Sequence, residues 1–395
     1  MTAAGRLFLV FAFLFGQALI ATPRTQAQTF KVVYNFTGGS DGGNPLDGLT
    51  LGSAGSLYGT TNAGGVSSYG VVFKVTKTGV ETVVHEFTGG TDGAYPQGGL
   101  VRDTGGNFFG TTTAGGASNN GTVFGFTAAG KEGVLYSFAG GTDGAVPQAG
   151  LALDAAGNLY GTTSAGGLYG NGTVFKITRP AKGGKWTETV LYNFGTGPDG
   201  SVPVASVAFD KSGNLYGTTS AGGTSGNGTI FELVPSGSSW TETILHNFQN
   251  ADDGAVPYGG LISDAAGNFY GSATEGGTGG GGTIFELTSD AGAWTFNVIY
   301  SNPGWGISGS FRNLILDASG NLYGTTHCDG ANDAGTVYKL SPASGLWTYT
   351  SLYVFTGGTD GLYSYSNPVL EGNYVIGTTK LGGENGSGVV WAIEL

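Results

Sequence analysis

Short apolar runs recur along the chain, each closed by Gly, Asn, Asp or Ser, and the stretch 150–194 shows the pattern in full. Gly150-Leu-Ala-Leu-Asp154 ends in the tight-turn sequence Asp-Ala-Ala-Gly-Asn, and Leu159-Tyr-Gly-Thr-Thr163 follows at once, which predicts a hairpin. A glycine-rich loop, Ser164 to Gly172, leads to Thr173-Val-Phe-Lys-Ile177, and a variable turn leads to Thr189-Val-Leu-Tyr-Asn-Phe194. Runs of about four to eight residues, rich in β-branched and aromatic types, predict strands. Outside the N-terminal leader no segment shows the period of an amphipathic helix.

The four-strand unit repeats. Aligning Tyr-Gly-Thr-Thr and its variants places Gly59, Gly110, Gly161, Gly217, Gly271, Gly324 and Gly377 in register, at spacings of 51, 51, 56, 54, 53 and 53 residues. Four antiparallel strands in about 50 residues make a propeller blade. The strands are named A to D from the channel outward. The chain opens on a D strand, Phe30 to Phe36, and closes on A (Pro368 to Leu370), B (Tyr374 to Thr379) and C (Val389 to Leu395). The expected fold is an all-β, seven-bladed β-propeller over residues 28–395, a single domain. Its seventh blade takes its outer strand from the N-terminus, which removes an open edge.

The units Gly-Asn-Leu-Tyr-Gly-Thr-Thr-Ser-Ala-Gly-Gly…Gly-Asn-Gly-Thr-Val-Phe (157–175) and the similar 213–231 resemble the GloVer tandem-repeat family over essentially all of 30–395. These are bacterial surface or secreted proteins with a choice of C-terminal anchors. The resemblance implies an exported repeat protein with no assigned reaction. Gly150-Leu-Ala-Leu-Asp…Gly-Asn-Leu-Tyr160 is also similar to NHL-type propeller repeats, which supports the assignment of strands A and B.

Residues 1–27 stand apart. Arg6 precedes an apolar run from Leu7 to Ala21, shorter than the roughly 20 residues of a membrane span, and Thr25-Gln26-Ala27 gives a small-x-small cleavage pattern. A cleaved signal peptide is expected, with no cysteine nearby for a lipid anchor and no hydrophobic C-terminal tail. The mature protein is then secreted or periplasmic. Cleavage removes Arg6 and Arg24 and no acid, so 13 bases face 27 acids and the net charge moves from −12 to −14. Phosphate binding needs clustered Lys and Arg, so nucleic acid and anionic membrane surfaces are not expected partners. Gly reaches 79 of 395 residues, about three times the usual ~7%. Aromatic residues at 12% still suffice for a core, and one cysteine, Cys328, allows no intrachain disulfide. A monomer is expected.

No catalytic motif stands out. Asp41, Asp92, Asp143, Asp199, Asp253 and Asp360 each precede Gly in the D-to-A connections. A ring of carboxylates at a channel mouth could bind Ca²⁺. Repetition in nearly every blade points instead to Asp capping its own turn. The A–B turn acids Asp154, Asp210, Asp264 and Asp317 are read as turn residues. His85 and His246 stand where other D strands carry Tyr34, Tyr136, Tyr192, Tyr300 and Tyr353, which marks a packing position with a polar tip. Trp186, Trp240, Trp294 and Trp347 recur just before D strands and are expected to cover the blades' outer edge.

Blade 6 alone breaks the pattern. Its D-to-A connection, 301–310, has lost Asp-Gly and carries Trp305 between two glycines. Phe311-Arg312-Asn313 replace Gln97-Gly98-Gly99 and Gln148-Ala149-Gly150, and its B-to-C loop reads His327-Cys328-Asp329. Both loops open on one face. Trp305, Arg312, Asn313, His327 and Asp329 are therefore the candidate ligand site, with Trp305 offering a flat face for a sugar ring. Cys328 reads as a small filler. The expected function is non-catalytic recognition of a glycan or protein through the loop face. A lactonase- or lyase-type enzyme and a structural surface protein are the alternatives.

Overall fold

The computed structural model describes residues 28–395, apart from 128–129, 182–183, 196, 291 and 304–313. These residues form seven four-stranded antiparallel sheets. Blade 3 is representative: A is Ala152–Leu153, B is Leu159–Thr163, C is Thr173–Thr178 and D is Thr187–Asn193. Blade 7 is built from Val369–Glu371, Tyr374–Thr379 and Val389–Glu394, and its D strand is Phe30–Asn35. That N-terminal strand runs antiparallel to the C-terminal one, from Phe30 opposite Ile393 to Asn35 opposite Val389. The closure expected from the offset repeat is the observed one.

The Tyr-Gly-Thr-Thr motif has a physical reason at three of its positions. Its glycine sits under an aromatic ring of strand C: a Cβ at Gly161 would lie 2.7 Å from Phe175 Cζ, and one at Gly271 would lie 2.5 Å from Phe285 Cζ. The first threonine reaches sideways. Thr111 Oγ1 donates to Ala149 O (2.8 Å), Thr162 to Ala205 O (3.0 Å), Thr218 to Gly259 O (3.1 Å) and Thr378 to Asp47 O (3.3 Å). Each bond clasps one blade to the next around the axis. The accepting carbonyls lie just before strand A and are thereby withheld from its ladder. Strand A is accordingly only two or three residues long, shorter than the apolar run suggests. The second threonine holds its own B–C loop, as in Thr163 Oγ1 to Ala165 O at 3.0 Å.

Outer strands carry a bulge in every blade, at Val174/Phe175 in blade 3 and Val32/Tyr34 in blade 7. Beyond it, the residue paired with the last apolar side chain of strand C faces the preceding blade. It is Glu81, Glu132, Glu188 and Glu242 in blades 1 to 4, then Phe296, Tyr349 and Phe30 in blades 5 to 7. The aromatic members stack face to face on the neighbour's ring: Phe30 on Tyr353 (3.9 Å), Phe296 on His246 (3.8 Å) and Tyr349 on Tyr300 (4.7 Å). The four glutamates each bury an Oε1 that has no hydrogen-bond partner.

The repeated tryptophans do not cover an outer edge. They wedge between blades, against the strand-B aromatic of the preceding one: Trp186 on Phe109 (5.9 Å), Trp294 on Tyr216 (5.5 Å) and Trp347 on Tyr270 (5.9 Å). Trp240 packs in the cluster that holds Tyr160. In blades 4 to 6 they lie inside extended D strands such as Ser239–Asn247, because longer C–D hairpins carry those strands further out.

Candidate functional site

Each Asp of the Asp-Gly loops accepts from its own D strand. Asp143 Oδ2 receives Tyr136 Oη (3.0 Å) and Ala139 N (2.9 Å), and Asp199 Oδ2 receives Tyr192 Oη (3.0 Å) and Gly195 N (2.8 Å). Asp41 takes Tyr34 Oη (2.8 Å), Asp360 takes Tyr353 Oη (2.9 Å), Asp92 takes Thr88 N (2.9 Å) and Asp253 takes Gln249 N (2.9 Å). His246 fills the tyrosine's role, its Nε2 lying 3.0 Å from Asp253 Oδ2, and His85 Nε2 lies 3.6 Å from Asp92 Oδ2. Six carboxylates thus serve six separate turns. Among the described residues, no three His, Cys, Asp or Glu side chains gather in a group that could hold a metal ion.

The A–B turn acids behave alike on the opposite face. Asp154 accepts from Asn158 N (2.8 Å), Asn158 Nδ2 (2.8 Å) and Ala156 N (2.9 Å). Burial pushes its pKa up, but the Asn158 bonds outweigh burial and hold the carboxyl below the ordinary range.

In blade 6, Trp305, Arg312 and Asn313 lie outside the described residues. His327 packs against blade 7, 4.2 Å from the Tyr365 ring and 4.5 Å from Tyr363 by ring centroids, and it is hydrogen-bonded to Tyr365 Oη. Asp329 points into its own blade, where Thr326 Oγ1 and Asn302 Nδ2 (3.4 Å) donate to it. Burial first, and the Asp329 charge second, raise the Tyr300 hydroxyl's pKa. The Asp329 charge thus reaches that tyrosine, while Thr326 and Asn302 donate the hydrogen bonds to its carboxylate. Cys328 Sγ lies 2.7 Å from His327 Nδ1, yet burial, then Asp333 and Asp329, push the thiol up to about 11. It is protonated at neutral pH and is a poor nucleophile.

Tyr365 leads to a feature not apparent from the sequence reading. It lines a cavity of about 380 Å³ at the loop-side mouth of the central channel. The residues three before the apolar side chain that opens strand A form its ring: Leu46, Gln97, Gln148, Val204, Tyr258 and Tyr365. Blade 6's equivalent, Phe311, is not described. Asp47 lies beside the ring and accepts from Gly48 N and Gly99 N, both at 2.6 Å. Gln148 Nε2 donates to Ser164 Oγ (2.9 Å), and Lys380 Nζ sits 5.5 Å from the Tyr365 ring centre. Asn367 Oδ1 is a buried acceptor without a hydrogen-bond partner.

Backbone strain fixes this ring. Just before the prolines that precede Gln148, Val204 and Tyr258, Val146, Val202 and Val256 adopt φ of 57°, 56° and 54°, a costly conformation for a β-branched side chain. Val146 N is held by Asn120 O (2.9 Å) and its carbonyl by Ser164, so two blades enforce the turn. The signal that could have found the site is a register position whose residue changes in almost every repeat while its neighbours recur.

Among curated proteins no sequence matches this chain. Solved structures share its fold. A Bacteroides uniformis protein provisionally described as a 6-phosphogluconolactonase aligns at a TM-score of 0.56 and 15% identity, over 84% of this chain and 89% of its own. A Bacteroides fragilis protein given the same provisional description aligns at 0.52 and 18%, over 84% and 87%. At such identities the likeness is one of fold alone. A family model described as the Gloeobacter/Verrucomicrobia repeat matches residues 16–167 and 150–391. With seven repeated blades on one template, the chain belongs to the Gloeobacter/Verrucomicrobia repeat family.

Proposed function

We propose that this propeller is an exported binding protein that takes a neutral glycan in the loop-side mouth of its channel. One observation carries the reading: equivalent positions of a repeated scaffold bear non-equivalent side chains there, with Gln97, Gln148, Tyr258 and Tyr365 around one cavity. Packing alone would repeat one residue, as it does at Gly161 and its counterparts. Amides and phenols suit a sugar, since they offer donors and acceptors at fixed places beside a flat face. The volume, about 380 Å³, lies in the range of small-molecule pockets, roughly 300–1,000 Å³. Among the described residues, Asp47 and Lys380 are the only charged ones on the wall and are opposite in sign, which favours an uncharged ligand.

A glycan array with the purified protein, run with and without EDTA, tests this. Binding should survive EDTA and fall at least tenfold in Tyr258→Ala and Gln148→Ala. Unchanged binding in both variants would move the site elsewhere. Turnover of a sugar lactone, lost in the same variants, would replace binding by lactonase chemistry.

A further inference from the structure

Four blade junctions contain an indole, and the junction between blades 7 and 1 does not. Trp186, Trp240, Trp294 and Trp347 stand two residues before the D-strand position occupied by Glu188, Glu242, Phe296 and Tyr349. In blade 1 that position is Glu81, and two residues before it is Gly79. Gly79 has φ +81°, and a Cβ there would come within 2.5 Å of the Val33 carbonyl. The turn therefore hugs blade 7 and presents no side chain. The aromatic on which the tryptophan would rest is also missing: Phe109, Tyr160, Tyr216 and Tyr270 correspond to Ile376.

Two rings are thus absent here from a frame that holds both at four junctions. Cavities of about 350 and 340 Å³ border Trp294 and Trp186, and a larger one of about 410 Å³ lies at this junction, on the face opposite the channel mouth. Val33, Leu57, Ile376 and Ala392 wall it. At its opening, Lys77 Nζ is paired with Glu371 Oε1 at 2.6 Å, and Lys31 Nζ lies 5.5 Å from the Tyr374 ring centre. The Lys77–Glu371 pair neutralises itself. Lys31 remains as a net positive charge at the mouth of an apolar slot, on a chain whose net charge is −12.

We propose that this slot binds a planar aryl ring bearing one carboxylate, with the ring between Val33 and Ile376 and the carboxylate against Lys31. The shape argument comes from the four indoles seated at equivalent junctions, and the charge argument from Lys31. The proposal is independent of the channel-mouth reading, because it uses a different face and different residues.

Calorimetric titration of the purified protein with indole-3-acetate, indole and tryptamine is the test. Indole-3-acetate should saturate, indole should bind at least tenfold more weakly, and tryptamine should bind no better than indole. Lys31→Glu, at an exposed position, should cost indole-3-acetate at least tenfold and leave indole unchanged. Val33→Trp should fill the slot and remove both, with an unaltered circular dichroism spectrum as its control. Absence of saturation by all three probes overturns the proposal. So does tighter binding of tryptamine, or equal affinity of wild type and Lys31→Glu for indole-3-acetate.

Discussion

Stability should fall as pH rises from about 5 to 8, because of the glutamates at the first four blade junctions. Burial, and then the neighbouring Asp41, Asp143 and Asp199 respectively, push Glu81, Glu188 and Glu242 up to about 7. Glu132 is raised too, by burial, with His85 lowering it and Asp92 raising it. The ordinary value is 4.5. Between 4.5 and 7 the folded state therefore holds protons that the unfolded state has released, and stability declines with pH across that window. One pKa unit corresponds to about 1.4 kcal/mol. These carboxyls are partly exposed, and solvent screening reduces the full shift to about 1 kcal/mol per junction. Three junctions then give about 3 kcal/mol. Unfolding entropy near 2.1 cal/mol/K per residue converts this, over 368 residues, to about 4 °C in Tm. The turn aspartates act at lower pH, since their carboxyls lie below the usual range. His246, lowered by burial against the pull of Asp253, opposes the trend as it protonates. Calorimetry at pH 5, 6, 7 and 8, on wild type and on the triple variant Glu81→Gln/Glu188→Gln/Glu242→Gln, separates the junctions from general charge repulsion. The variant should lose most of the slope. Identical slopes in the two proteins would refute the reasoning.

Deleting residues 28–37 removes the strand that carries Val32, Tyr34 and the fully buried Phe36, about 1.5–3 kcal/mol each. The truncated protein should fail to fold or melt far lower, and a Tm within a few degrees of wild type would exclude the closure's role. Asp143→Asn should cost about 1 kcal/mol by denaturant titration, and EDTA should leave Tm unchanged, whereas a Ca²⁺-dependent rise of about ten degrees would restore the cation reading. Gly161→Ala should destabilise by about 1–3 kcal/mol, because the new methyl meets the Phe175 ring at 2.7 Å.

Architecture was legible because it depends on counting. Strand periodicity, seven glycines in register and a D strand left over at the start fix the number of blades and the partner of Phe30. What could not be read depends on neighbours across a junction. Thr162 and Ala205 are 43 residues apart, and nothing local marks their bond. The exchange of glutamate in blades 1 to 4 for an aromatic in blades 5 to 7 is hidden by the bulge, which shifts strand D out of phase with strand C. Blade 6 stands out in sequence because its loops differ, yet Asp329 is held by Thr326 and Asn302, and His327 packs against a blade 7 tyrosine. The channel-mouth ring was in view, since Gln97 and Gln148 were the residues against which blade 6 looked unusual. They resemble each other and so read as framework, whereas the ring's information lies in the blades where that position becomes Val204, Tyr258 or Tyr365.

The pairing of Phe30 with Ile393 also sets an order of events during synthesis. Blades 1 to 6 are each contiguous in the chain and can assemble as it emerges. The strand that opens the chain must wait for the last residues before it finds a partner. Through that interval its backbone donors and acceptors form an unpaired edge, open to pairing with another chain. Ring closure is the most non-local contact in the molecule and so the slow one, since loop entropy is lost before any pairing energy is recovered. The chain is therefore most exposed to misassembly at strand Phe30–Asn35 until it pairs with Val389–Glu394.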